Sequence, residues 1–242
     1  MRVRTSSALV TAFLLSLSTS PQAASLQVSP VSIEVLAPGA AATITLRNEG
    51  PNPLNAQIRV FRWSQVNGEE KLEPTDDVVA SPPITILAPK TDYTVRLVRV
   101  VKRPVSVGES YRLLVDELPE PKARQNRVVT LVMRYSIPVF FYPRGTANAK
   151  LAWSVEQRGQ RVYVSAANAG DRHVRISALT LRDGNGTTAS FGNGLTGYVL
   201  PRSTMRWEAP ANIRRLGTSS VVISAQGDSG PINASPSAPP AR

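Results

Sequence analysis

Cysteine is absent from the chain and histidine occurs once, as His173. A disulfide framework, a thiolate metal centre and a histidine-rich metal site are thereby excluded. Aromatic residues make up only 6%, which leaves little material for a carbohydrate-stacking surface. Acidic residues are also scarce, 17 against 28 basic ones, for a formal charge of +11. The apolar run at 8–17 is about ten residues long, half of what a membrane span needs, so no membrane anchor is expected. A phosphate-binding loop, a dinucleotide fingerprint and a Gly-x-Ser-x-Gly elbow are all missing. His173 stands in His173-Val174-Arg175-Ile176, on what reads as the exposed parity of a strand or at a domain boundary, without an evident orienting acid. The carboxylate pairs Asp76-Asp77 and Glu69-Glu70 fall in polar turns rather than in an identifiable cleft. Little is left for catalysis, and the chain reads as a non-enzyme with no metal and no cofactor.

What is present begins with export. Arg2 and Arg4 precede the apolar stretch, and small residues including Ala23 and Ala24 follow it, the pattern of a secretory signal cleaved after Ala24. The product is then expected in a periplasm or outside the cell. Without the two leader arginines the formal charge falls to +9. Residues 25–144 carry 15 basic and 12 acidic side chains, and residues 145–242 carry 11 and 5. Positive charge is spread along the chain with no dense tract, so nucleic acid is not an expected partner.

Apolar residues amount to 42%, enough for real cores. Almost every periodic segment alternates with period two, as in Thr43-Ile44-Thr45-Leu46 and in 54–63, where Trp63 changes the phase. Further strands are predicted at 93–101 and 111–118, with proline and glycine marking the corners between them. The longest candidate is 128–141, which would extend roughly 46 Å at about 3.3 Å per residue. Pro138 inside it argues for an edge or a bulge, because proline has no N–H to give a neighbour. Weaker strands follow at 151–155, 161–167, 173–181, 204–207 and 220–224, with a turn at Asp183-Gly184-Asn185-Gly186. Two sandwiches are predicted, 25–143 and 144–228, for which immunoglobulin-like topology is the best-populated option while alternation leaves strand order open, followed by a disordered tail at 229–242.

Read together, several strings give a specific resemblance. They are Leu36-Ala37-Pro38-Gly39, Ser81-Pro82-Pro83-Ile84 with Leu87-Ala88-Pro89, Thr94-Val95-Arg96-Leu97, Tyr111-Arg112-Leu113-Leu114-Val115-Asp116-Glu117-Leu118-Pro119 and Tyr135-Ser136-Ile137-Pro138-Val139-Phe140-Phe141-Tyr142-Pro143. In that order they resemble the periplasmic pilus-assembly chaperones of the chaperone–usher class. The final string looks more like the archaic or alternative branch, whose subunits are spore-coat-protein-U-like. The resemblance implies two immunoglobulin-like β-sandwich domains set in an L. It also implies lending of the last first-domain strand to a pilin-like subunit that lacks its own final strand, and delivery to an outer-membrane usher.

By the same resemblance, 128–141 is the lent strand, with Val129, Leu131 and Met133 on the inserted face and Tyr135 and Ile137 next in phase. Better-known members anchor the subunit carboxylate on an arginine and a lysine, where this chain has Ser32 and Pro138. Arg134 and Arg96 are the candidate substitutes, since a guanidinium can grip a carboxylate with two bonds. Arg96 has a rival expected role, an interdomain network with Glu117 and Asp228. The loop 119–127 is polar and basic, as expected of a mobile loop that becomes ordered on subunit binding. An uncovered apolar edge would also favour self-association of the free protein. The alternative reading is a secreted two-domain adhesion or binding protein that uses the same surfaces without strand donation.

Overall fold

The computed structural model describes residues 26–119, 132–145, 148–213, 216–217 and 220–236. It is all-β, with two sandwiches. In the first, one sheet runs in the order β1 (Leu26–Ser29), β3 (Ala41–Asn48), β8 (Asp92–Arg99) and β6 (Val78–Ser81). The facing sheet runs β2 (Ile33–Leu36), β10 (Arg134–Tyr142), β9 (Glu109–Leu118), β4 (Leu54–Val66) and β5 (Glu69–Pro74), and β7 (Ile84–Leu87) also pairs with β4. Alternate residues of both sheets meet between them: Ile44, Leu46, Val95 and Leu97 from one side, Ile58, Leu113, Val115 and Val139 from the other. Burial of each such side chain is worth about 1.5–3 kcal/mol, which is why the period-two segments became strands of one core.

The second sandwich packs β11 (Leu151–Arg158), β12 (Arg161–Asn168) and β16 (Ser203–Glu208) against the sheet β14 (Thr188–Ser190), β13 (Val174–Arg182), β17 (Val222–Gly227) and β18 (Gly230–Ala234). The short β15 (Leu195–Val199) pairs with β13. Trp153, Val164, Ile176, Leu181 and Trp207 lie in its core. The predicted turn after β13 is held by the Asp183 carboxylate, which accepts backbone bonds from Asn185 (3.0 Å), Thr187 (2.8 Å) and Gly217 (2.9 Å).

One expectation is corrected and two are sharpened. The predicted disordered tail is ordered where it begins: β18 pairs with β17 from Gly230 opposite Gly227 to Ala234 opposite Ile223. Its apolar content is small, but Ile232 and Ala234 reach the second core, and edge pairing supplies the hydrogen bonds. Of the two places expected for His173, the domain boundary is the one it takes: it is buried at 6% exposure against Phe140 of the first domain, not on an open strand face. The change of phase read at Trp63 is real: burial falls on Leu54, Ala56 and Ile58 and then passes to Trp63 and Gln65, without a bulge. The ladder from β4 to β9 runs unbroken from Asn55 to Arg62, and that to β5 continues unbroken from Phe61 to Val66. Trp63 and Gln65 simply lie on the face opposite Ile58, and the second domain buries them there.

The two sandwiches share a corner device. Asn48 at the end of β3 donates to the carbonyls of Asn52 (2.7 Å) and Leu87 (3.0 Å) and accepts from the Gly50 N–H (2.8 Å). Asn168 at the end of β12 donates to Arg172 (2.7 Å) and Leu200 (3.2 Å) and accepts from Gly170 (2.9 Å) and Lys150 (3.1 Å). Each is an Asn-x-Gly step in which one buried amide satisfies the orphan backbone groups of a strand end.

Candidate functional site

Strand β10 is bound on one edge along all but its last residue and on the other along only its second half. Its ladder with β9 runs from Arg134 opposite Asp116 to Phe141 opposite Glu109. Its parallel ladder with β2 covers only Val139 to Tyr142. Residues 134–138 therefore present a free edge among the described residues, and Pro138, which has no N–H to give, stands where that edge begins.

The side chains of β10 divide by parity. Ile137, Val139 and Phe141 enter the core of the first sandwich, whereas Phe140 and Tyr142 enter a separate cluster with Trp63, Tyr198 and Leu200 between the domains. Burial on the core parity fades toward the start of the strand. Ile137 is 2% exposed, Tyr135 is half-buried with its hydroxyl donating to the Leu26 carbonyl, and Met133 is 38% exposed. The described core thus closes over Ile137 and partly over Tyr135, which as placed pack into this chain's own sandwich. Met133 and Val132 stand outside it. Val129 and Leu131 lie outside the described residues, as does the loop from residue 120.

Glu117 holds the start of this arm. Its N–H donates to the Met133 carbonyl at 2.9 Å, and its carboxylate accepts from the Met133 N–H at 3.3 Å. Arg134 is bonded to Asp116, which also takes Arg59 at 2.6 Å. Burial pushes the Asp116 carboxyl up, but the two guanidinium groups outweigh it and hold the group below the usual aspartate range. One buried carboxylate thus faces two cations beside the free edge, and Arg134 and Arg59 both remain substantially exposed.

The predicted network of Arg96, Glu117 and Asp228 is not assembled. Arg96 is exposed on β8, between Thr43 and Ser81, in the sheet opposite the one that carries Glu117. Asp228, in the β17–β18 turn, accepts from the Arg175 N–H at 3.1 Å and pairs with the Arg175 guanidinium at 3.0 Å. The buried ion pair the first domain does contain is Arg99–Glu109, two parallel bonds of 2.8 Å with the Tyr111 hydroxyl donating to the same carboxylate at 3.0 Å. It ends the loop bearing Gly108, where a Cβ would lie 2.4 Å from the Asp171 carbonyl oxygen of the second domain.

The domain seam itself went unread in the sequence. Gln65 donates to the Tyr198 carbonyl at 2.7 Å and accepts from the Leu200 N–H at 3.0 Å. Arg112 lies over Trp63 at 3.6 Å and over Tyr198 at 5.2 Å, and burial pushes its guanidinium down. His173 stacks on Phe140 at 3.7 Å, and Arg172 pairs with Glu34. The available signal was the unalternating run Val139-Phe140-Phe141-Tyr142, which marks a strand covered on both faces.

The comparisons agree with this architecture. The family model described as pili and flagellar-assembly chaperone, PapD N-terminal domain, matches residues 25–147. No curated protein matches the chain. Among solved structures, the chain is similar to one from the CsuC–CsuE chaperone–tip adhesion subunit pre-assembly complex of the archaic chaperone–usher Csu pili of Acinetobacter baumannii. There the identity is 28% and the TM-score 0.70, over 87% of this chain and 98% of that one. The Escherichia coli chaperone DraB shares the fold at 21% identity and a TM-score of 0.58, over 87% and 98% of the two chains. So does the Pseudomonas aeruginosa CupB2 chaperone, at 18% and 0.57, over 87% and 100%. A match across half of its length, on the sandwich that carries the free edge, places the chain in the pili and flagellar-assembly chaperone family, as a periplasmic chaperone of pilus assembly.

Proposed function

We propose that the chain holds a pilin-like subunit by lending it the strand that continues β10 toward its N-terminal side, with Met133, Leu131 and Val129 entering the subunit's open core. The observation that carries this reading is the fading of burial along one parity of β10, from Ile137 to the exposed Met133, on an edge without a partner strand. A free edge supplies backbone hydrogen bonds in register, and alternate side chains supply the apolar contacts. Three such side chains contribute about 1.5–3 kcal/mol each before the cost of ordering the arm. Ile137 and Tyr135 act as the root of the arm, fixed in the chaperone's own sandwich. One similar structure is a chaperone–tip adhesion subunit pre-assembly complex of an archaic chaperone–usher system, which supports the holding of a subunit; the proposed partner is a spore-coat-U-like subunit lacking its last strand, delivered onward to an outer-membrane usher.

Arg134, with Arg59 beside it, is the proposed anchor for a subunit carboxylate, because these two cations share one aspartate. Arg96 lies in the other sheet and is not retained for that role. The proposed mature chain follows removal of residues 1–24, its first domain ending at Pro143 and its second extending through β18. Free protein would cover the edge by pairing with a second copy.

Co-expression with a subunit encoded nearby, followed by co-purification, tests the reading. Leu131→Asp with Met133→Asp should abolish the soluble complex and leave the melting temperature of the free chaperone within a few degrees. An unchanged complex overturns strand donation by this face. Unfolding of the free double variant would instead assign both residues to the chain's own core.

A further inference from the structure

We propose that His173 is a pH-sensitive latch between the two domains, closed when its imidazole is neutral and released on protonation. This goes beyond subunit binding and does not depend on it. The residue is the chain's only histidine, it stands just before β13 of the second domain, and most of what holds it belongs to the first. Its ring lies flat on Phe140, 3.7 Å between centroids and 6° between planes. The Tyr142 hydroxyl bonds Nδ1. Both partners come from β10, whose opposite face forms part of the first core.

The charged groups around the ring are mixed. Glu34 of β2 stands 4.0 Å from Nε2, and Asp228 of the β17–β18 turn stands 3.8 Å away. Against them are Arg172 beside it in sequence, Arg175 of β13 and Arg112 of β9, all of which disfavour added positive charge. Glu34 and Asp228 are moreover already engaged, with Arg172 and Arg175 respectively. Tyr198 of β15, its ring 5.6 Å away, completes the enclosure. Burial is the largest influence and brings the imidazole down from 6.5 to about 4, with only Asp228 opposing appreciably. A proton can reach the group, because His173 lines a cleft of about 570 Å³ together with Glu34, Arg172 and Asp228.

The direction follows from linkage. A histidine whose pKa is depressed in the closed seam takes up a proton when the domains separate, so falling pH favours the separated form. From an exposed value near 6.5 to a closed value near 4, the ratio of open to closed molecules should rise roughly 30-fold between pH 7.5 and pH 5.

Because the chain has no cysteine, a donor and an acceptor dye can be placed at Val79→Cys and Val222→Cys, exposed positions of the first and second domain. The expected result is a reversible loss of energy transfer between pH 7.5 and pH 5 with the far-ultraviolet circular dichroism unchanged, and no such loss in His173→Gln. A wild-type signal that does not move with pH, or a His173→Gln signal that moves as the wild type does, overturns the latch. Should His173→Gln fail to fold, the wild-type imidazole resonance of the untagged chain decides. A midpoint well below 6.5 supports the closed, depressed state, and a midpoint at 6.5 or above refutes it.

Discussion

Ile137 and Met133 have the same parity on one strand and opposite surroundings. Ile137 touches the first core and is almost fully enclosed, so Ile137→Ala should lower the urea-unfolding free energy of the free chaperone by about 2–4 kcal/mol. Met133→Ala removes a side chain that water already reaches, and should change stability by under about 0.5 kcal/mol while weakening subunit capture. A reversed order of the two losses in chemical denaturation would contradict the burial gradient. At Asn168 the amide serves five backbone groups, so Asn168→Ala should destabilise the second sandwich by roughly 2–3 kcal/mol, measured the same way. The Asn-x-Gly string was present twice in the sequence, but an amide's partners are set by which strand ends meet, and no local pattern states that.

Strands were the most legible elements. Period two gave β3, the first part of β4 and β8, where one face met the core and the other met water, and passed over β1, β2, β6 and β7, whose four residues each are too few to show it. Where both faces are covered, in β10 and the end of β4, it marked the strand but failed to say which face met which core, because an apolar residue there is compatible with either parity. It failed also at β18, whose single isoleucine gives too little signal and whose stability comes from pairing with β17. Deleting residues 230–242 should therefore uncover the edge of β17 and lower the melting temperature of the second domain, with increased aggregation seen by light scattering. If the truncated chain melts as the full chain does, β18 contributes nothing to the fold.

For the whole molecule, acid should act in two stages. The seam loses stability as pH falls from about 6.5 toward 4, where a buried neutral His173 is opposed by protonation of the separated form. Glu109 acts lower: burial pushes it up, but the bonds from Arg99 and Tyr111 outweigh that and leave its pKa below 4.5. Its contribution is complete above about 4.5 and is lost as pH falls through the depressed value. In urea midpoints recorded against pH, Glu109→Gln should flatten the limb below pH 4.5 and leave the limb above it unchanged. The acid limb of Glu109→Gln matching that of the native chain would show that the pair with Arg99 adds nothing to acid sensitivity.

Alternation, corner residues and the order of a few short strings determined by themselves that this chain is an all-β, two-sandwich protein of the chaperone–usher kind, since periodicity and turn chemistry are local properties of the backbone. The pairing of charges was decided only in three dimensions. Arg99 with Glu109, Arg134 and Arg59 with Asp116, and Asp228 with Arg175 and His173 replaced the trio expected from Arg96, Glu117 and Asp228. A guanidinium finds its carboxylate across whichever strands the sheet order brings together, and that order, like the point where β2 stops covering β10, is fixed by contacts far apart in the chain.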